Sequence, residues 1–402
     1  MKKIAILSTA LCSLSLLAAC GNNDSAGTAT AAESSTRVSV EISDAPTAPV
    51  TYVTETLAES LNTAYSLAFL PSGDMLVTEK SGALRVIRDD QLLPTPVSGT
   101  PEVHFKSQAG MFEVVLHPDF ENNSLIYLSY AHGTEAENGV RLARARFVPS
   151  DEGGSLEDLE VLFTASPLKA GSAHYGGKII FLEDGTLMMT TGEGYRYREQ
   201  APTLDNHFGK IIRLNDDGSV PTDNPFVGQE GALPEIWSYG HRNPQGLIVD
   251  PATGTVYSHE HGPKGGDEVN IIEKGKNYGW PIITYGVDYS GAVISPFTER
   301  DGLEQPVVHY VPSIAPSGFT MYDGDQFPAW QGDLFIGALA FKEVRRIDLD
   351  ENGNFGAQEK LFTELDERIR DVRTGPDGFM YLMTDASRSS DSNAKVIRVR
   401  PQ

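Results

Sequence analysis

Between Trp237 and Pro281 the chain reads WSYGHRNPQGLIVDPATGTVYSHEHGPKGGDEVNIIEKGKNYGWP, a run with more chemistry in it than a strand or a helix needs. It opens on Arg242 and Asn243, a cation beside an amide. Two glycine-rich corners with exposed carbonyls sit in the middle, and an acidic pair with an aromatic follows. Cation, hydrogen-bond and oxygen ligands therefore fall within about the length of one propeller blade. Such a set suits an anionic cofactor held through a hard metal ion.

Positioning these groups falls to a repeat. An apolar strand, a turn rich in Pro, Asp and Gly, and a second apolar strand recur as SLAFLPSGDMLVTEKSGALRVI, MFEVVLHPDFENNSLIYLSY, KIIFLEDGTLMMTTGEG, QGLIVDPATGTVYSHEHG, GFTMYDGDQFPAWQGDLFIGAL and RDVRTGPDGFMYLMTDAS. The six units begin near Ser66, Met111, Lys178, Gln245, Gly318 and Arg370. Their spacing of roughly 45 to 75 residues fits four-stranded blades with insertions of variable length. Helical periodicity is nearly absent, and only short stretches such as Thr54 to Leu61 support a turn or two of helix. The expected fold is an all-β, six-bladed β-propeller of four-stranded antiparallel blades over residues 51–402. A β-sandwich with long loops is the competing architecture, and sixfold recurrence of one hairpin signature weighs against it.

In a propeller the loops between blades converge at one end of the central channel. Gln108 precedes the second unit, His174 the third and Arg242 with Asn243 the fourth, while Arg368 and Arg370 surround the start of the sixth. All hold the same phase of the repeat. Taken singly, each reads as a turn residue; taken together, they place a base beside an anion-binding cluster.

The N-terminus and the composition bound the compartment and the partners. Lys2 and Lys3, the apolar run Ile4 to Leu17 and the small residues Ala18 and Ala19 form an export signal over residues 1–19, too short to span a membrane. It ends in LAAC, which resembles the lipobox of bacterial lipoproteins. Cys20 is then the lipidated first residue of a flexible Ala/Ser/Thr/Asn-rich tether over residues 20–50. Gly21 after that cysteine matches outer-membrane sorting, so the expected location is the bacterial cell envelope, at the periplasmic face of the outer membrane. Cys12 leaves with the signal and no thiol remains for a disulfide, so core burial alone must stabilise the fold. The formal charge is −23, and no basic cluster offers a face to nucleic acid.

The ordered motifs SQAGMFEVVLHPDF, AHYGGKI, GHRNPQGL, EHGPKGGDEVN, GKNYGWP and RIRDVRTGPDG resemble those of the soluble quinoprotein aldose sugar dehydrogenases, relatives of soluble glucose dehydrogenase. The resemblance runs from about Leu57 to Val399. It implies pyrroloquinoline quinone (PQQ) and Ca2+ as cofactors, a sugar as substrate and an external electron acceptor. By it, His174 is the general base at the anomeric hydroxyl, Gln108 and Asn243 bond the cofactor, and Arg242, Arg368 and Arg370 meet its negative charge. The carbonyls of Gly262 and Pro263 hold the catalytic calcium, Glu268 and the carbonyl of Tyr278 a second, structural one, and Tyr289 packs on the cofactor rings.

The chain also departs from the family pattern. The family lysine that pairs with a cofactor carboxylate is replaced by Ala340, with Lys342 two positions later either on the same face of a strand or in a solvated loop. Glu113, Lys178 and Ala173 are further departures. A non-catalytic glycan- or protein-binding propeller and a calcium-dependent lactone hydrolase remain as readings from other classes.

Overall fold

The structure, a computed structural model, describes residues 50–350, 353–386 and 393–402. The expected signal segment, Cys20 and all but the last residue of the tether lie outside the described residues. Among the described residues six four-stranded antiparallel sheets account for every named strand, and the α-helix content is one turn, Phe120–Asn123. The innermost strands are Ala64–Phe69, Met111–Leu116, Gly176–Phe181, Pro244–Val249, Pro316–Met321 and Ile369–Thr374, which define blades one to six. Each lies beside the next, and the sixth returns to the first. The fold is the six-bladed propeller read from the repeat, and every innermost strand begins within two residues of its expected start.

Five blades are made of consecutive strands. The sixth takes its outer strand from the beginning of the domain, where Tyr52–Leu61 pairs with Ala394–Pro401. This corrects the helical reading of Thr54 to Leu61. Leu57, Ala58 and Leu61 have a helix-like spacing, but two register shifts in the pairing let an extended chain bury all three.

Each innermost strand also slips register where it begins, between Ala64 and Ser66, Met111 and Val114, Gly176 and Ile179, Pro244 and Gly246, Pro316 and Phe319, and Ile369 and Asp371. Thr63, His174 and Ala315, just before three of these bulges, have φ of 50°, 50° and 54°. A bulge re-aims the side chains beside it. Six of them at one end of the ring turn that end into a site.

The apolar core is divided among six clusters, one for each seam between adjacent blades. Tyr52, Phe327, Trp330, Phe335 and Phe362, for example, pack together where blades five and six meet, with Trp330 fully buried. The ring axis is charged instead. Buried Glu113 of blade two receives Lys178 Nζ of blade three at 2.5 Å and Ser66 Oγ of blade one at 3.0 Å, and it pairs with Arg373 of blade six, which also reaches Asp371 at 2.9 Å. Two departures from the family pattern thus answer each other, Glu113 being the partner of Lys178. Burial alone raises the Glu113 carboxyl, but Lys178 and Arg373 hold it below the usual carboxylate range.

Removing one partner of a buried pair strands the other, at a cost of about 3–5 kcal/mol. Glu113→Gln is therefore expected to lower the unfolding free energy by about 3 kcal/mol in urea titrations, and Glu113→Gln with Lys178→Gln to recover part of the loss. Because the Glu113 pKa is depressed in the fold, its contribution is present above the unfolded carboxylate pKa and is lost as pH falls through the folded one. A single variant as stable as the parent would show that the network is hydrated.

Candidate active site

The bulged ends of the innermost strands enclose a polar cavity of about 430 Å³. Gln108, His174, Arg242, Asn243, Gly262, Tyr289, Arg368 and Arg370, picked out at the level of sequence, all line it. Pro263 instead lines an adjoining cavity of about 300 Å³, which shares Arg242 and Tyr289 with the first.

His174 is buried at the cavity wall. Its Nδ1 lies 2.9 Å from Glu193 Oε1, and Glu193 is itself 1% exposed. An ionised carboxylate only accepts, so Nδ1 carries the hydrogen and Nε2 is left as the basic nitrogen. Burial lowers the His174 pKa, Glu193 opposes this, and Arg242 and Lys169 push it down again, so the neutral imidazole prevails at pH 7. The left-handed backbone of His174 is held from both sides, its N–H donating to Gln108 Oε1 at 2.9 Å while Gly176 N–H donates to Asn243 Oδ1 at 3.1 Å. Gly192 is packed against the same segment, where a Cβ would stand 2.5 Å from the His174 carbonyl and 2.8 Å from Asn243 Oδ1. Gln108 and Asn243 thus position the His174 segment as well as walling the cavity.

The cations are fixed just as firmly. Arg242 Nη1 donates to the carbonyls of His261 and Gly262 at 2.9 and 2.6 Å, and its guanidinium lies over Trp280. Arg368 and Arg370 share buried Asp385, at 3.1 and 3.0 Å, and Arg370 Nη1 also donates to the hydroxyl oxygen of Ser317 at 3.1 Å while its guanidinium lies over Tyr65. Arg242 Nε and Arg370 Nε are buried without a partner among the described residues. Arg242, Arg368 and Arg370 together suit this cavity to an anion.

A profile of the Glucose / Sorbosone dehydrogenase family matches residues 61–397, nearly the whole propeller. The chain belongs to that family. It is 41% identical to the aldose sugar dehydrogenase YliI of Escherichia coli over 361 residues, 88% of this chain and 94% of that one. The crystal structure of the soluble aldose sugar dehydrogenase of E. coli in its apo form superposes with a TM-score of 0.82 at 40% identity, covering 88% of this chain and 100% of that one. The PQQ-bound aldose sugar dehydrogenase of Streptomyces coelicolor superposes with a TM-score of 0.70 at 25% identity, covering 88% and 99%. A sugar-oxidising enzyme is therefore the class to which the chain belongs, and neither the non-catalytic nor the hydrolytic reading has comparable support.

The remaining residues named from sequence lie elsewhere. Glu268 and Tyr278 do not line either cavity. Glu268 is half-buried opposite Glu260 in the sheet of blade four, and desolvation followed by repulsion from Glu260 raises its pKa well above the usual value. The Tyr278 ring stacks on His241 at 4.6 Å, and its hydroxyl donates to Ile271 O at 2.6 Å. Lys342 has φ of 55° in the turn after Leu334–Ala338, its ammonium paired with Asp366 at 2.8 Å, and it does not line the cavity; Ala340 does. The same-face argument for Lys342 fails because the strand ends before it.

Sequence reasoning passed over Glu193, Asp385, Lys80, Gln245 and His261. Gln245 and His261 sit inside quoted motifs and bond each other across the cavity wall at 2.9 Å. Glu193 and Asp385 follow the second strands of their blades, a phase at which the repeat gave no cue.

Asp385→Asn leaves two half-buried guanidinium groups without their shared carboxylate. We expect a loss of about 3 kcal/mol in chemical unfolding, whereas Lys342→Ala, at a half-exposed surface pair, changes stability by less than about 1 kcal/mol. Equal stability of the Asp385→Asn protein would show that the arginines are held by other groups.

Proposed function

We propose that this protein binds PQQ with calcium in the arginine-lined cavity and oxidises an aldose at C1 to the lactone. The observation that carries the reading is the Glu193-oriented imidazole of His174 in the wall of a cavity whose buried charge is predominantly positive. PQQ, when bound, supplies a two-electron acceptor for the C1 hydride, and calcium supplies a Lewis acid beside it.

The residues fit both groups. Arg242, Arg368 and Arg370 would hold the carboxylates, and the unpartnered Arg242 Nε and Arg370 Nε are donors suited to an anion. Tyr289, 59% exposed at the mouth shared by the two cavities, would cover the rings. The Gly262 carbonyl already draws the Arg242 guanidinium, which marks it as an oxygen that attracts positive charge, and with Pro263 it would face calcium. Among the described residues no group of three or more His, Cys, Asp or Glu is gathered for a metal, so main-chain oxygens must supply such a site. Half-buried Glu268 beside Glu260, with Asn270 Oδ1 lacking a partner nearby, suits a second cation that would relieve the repulsion. The carbonyl of Tyr278 would complete that site.

In the reaction His174 Nε2 takes the proton of the anomeric hydroxyl as the C1–H bond breaks. Glu193 keeps the ring in the required tautomer and stabilises the imidazolium that results. The arginines lower the energy of negative charge that develops in the cavity. An external acceptor then returns the enzyme to its oxidised state. Export and anchoring through Cys20 would set this chemistry in the bacterial cell envelope, at the periplasmic face of the outer membrane, within reach of such an acceptor.

His174→Ala removes the base and none of the cavity's charged groups. It is expected to keep PQQ affinity within a few-fold and to lower turnover by about 10²-fold or more. Because the His174 pKa is lowered by burial, the acidic limb of the turnover profile is expected below pH 6.5, and Glu193→Gln should move it lower still, since Glu193 favours the protonated ring. Full sugar oxidation by His174→Ala, with cofactor occupancy verified, would remove His174 from the role of base.

A further inference from the structure

With Ala340 in the cavity wall and Lys342 turned to Asp366, the site is one cation short of the family pattern. Lys80, from the far end of the sequence, lies in that wall. It directly follows the second strand of blade one, Met75–Glu79, and is 9% exposed. Its Nζ donates to the carbonyl of Ser107 at 2.6 Å, and among the described residues no carboxylate stands within ion-pair distance of it. An ammonium has three donors, and one so deeply buried is ordinarily paired with an anion.

The backbone that carries it is locked between two blades. Lys80 N–H donates to Thr63 O at 3.1 Å, and Lys80 O accepts from Met111 N–H at 3.1 Å. Gly110, with φ of 154°, makes that approach possible, because a Cβ there would come within 2.3 Å of Lys80 O. The ammonium is thus presented to the cavity from a seam fixed on both sides, beside the residue Gln108 that steadies the base.

We propose that Lys80 binds a carboxylate of the cofactor and replaces, from blade one, the cation that Ala340 does not supply. This rests on the reading of the cavity as a PQQ site. The charged groups that act on Lys80 are the guanidinium of Arg370 and the carboxylate of Asp385 from blade six; its ammonium bonds the Ser107 carbonyl, and Tyr65 of the innermost strand of blade one lines the same cavity. Burial first, and Arg370 next, bring its pKa down to about 8, with Asp385 opposing. A carboxylate placed against the ammonium would raise that value again, so binding near pH 8.5 would take up protons.

The test is equilibrium titration of the apo protein with PQQ in the presence of calcium, followed by quinone absorbance and by calorimetry at pH 8.5 in two buffers of different ionisation enthalpy. Lys80→Gln keeps a donor for the Ser107 carbonyl and loses the charge. It is expected to weaken binding tenfold to a hundredfold and to abolish most of the proton uptake, while Lys80→Arg stays within a few-fold of the parent and Lys342→Ala is silent. The apo Lys80→Gln protein should melt no lower than the parent, because a repulsion with Arg370 is removed. Parental affinity and proton uptake in Lys80→Gln would overturn the role of Lys80 while leaving the PQQ site standing. Failure of the parent itself to bind PQQ would overturn the site and the role of Lys80 together.

Discussion

A propeller is held together by closure of its ring, and here closure rests on a pairing between residues more than three hundred positions apart. Tyr52–Leu61 completes blade six against Ala394–Pro401, so the described N-terminal strand and the last strand belong to one sheet. The seam between blades six and one depends on that pairing. So does the cavity, since Lys80 and Gln108 come from the first two blades and Arg368, Arg370 and Asp385 from the last. Separation of blade six from blade one would part Arg368 and Arg370 from Lys80.

Within the ring the division of labour follows polarity. The seams carry the apolar clusters, and the axis carries Glu113, Lys178, Asp371 and Arg373 in mutually satisfied contacts. Among the described residues the cavity differs from the axis in the cations that line it, Arg242, Arg368, Arg370 and Lys80, of which Arg368 and Arg370 pair with Asp385. In a chain of net charge −23 this is a local inversion of sign. Positive charge gathered in a partly buried cavity is costly to the empty fold and favourable to an anionic ligand.

Much of the fold was legible because a propeller repeats one hairpin, and six copies of the apolar strand with its Pro/Asp/Gly turn fix where the innermost strands begin. The convergence of Gln108, His174, Arg242, Asn243, Arg368 and Arg370 followed from their shared phase. Less legible was whatever depends on the ends of strands. Residues 54–61 have apolar spacing that suits a helix, and only pairing with the C-terminal strand, through two register shifts, makes them β. Lys342 was open to two readings because alternation along a strand says nothing once the chain has turned. Glu193, Asp385 and Lys80 are single charged residues after second strands, indistinguishable in sequence from solvated ones until the ring brings them inward.

The measurement that bears most directly on this account is reduction of PQQ bound to the protein by sugar, followed by absorbance without air and without any dye. With calcium present and cofactor binding verified, aldoses at millimolar concentration are expected to reduce the bound quinone stoichiometrically in a single turnover. Bound quinone that stays oxidised against every aldose offered, in protein shown to be folded and loaded, would contradict it.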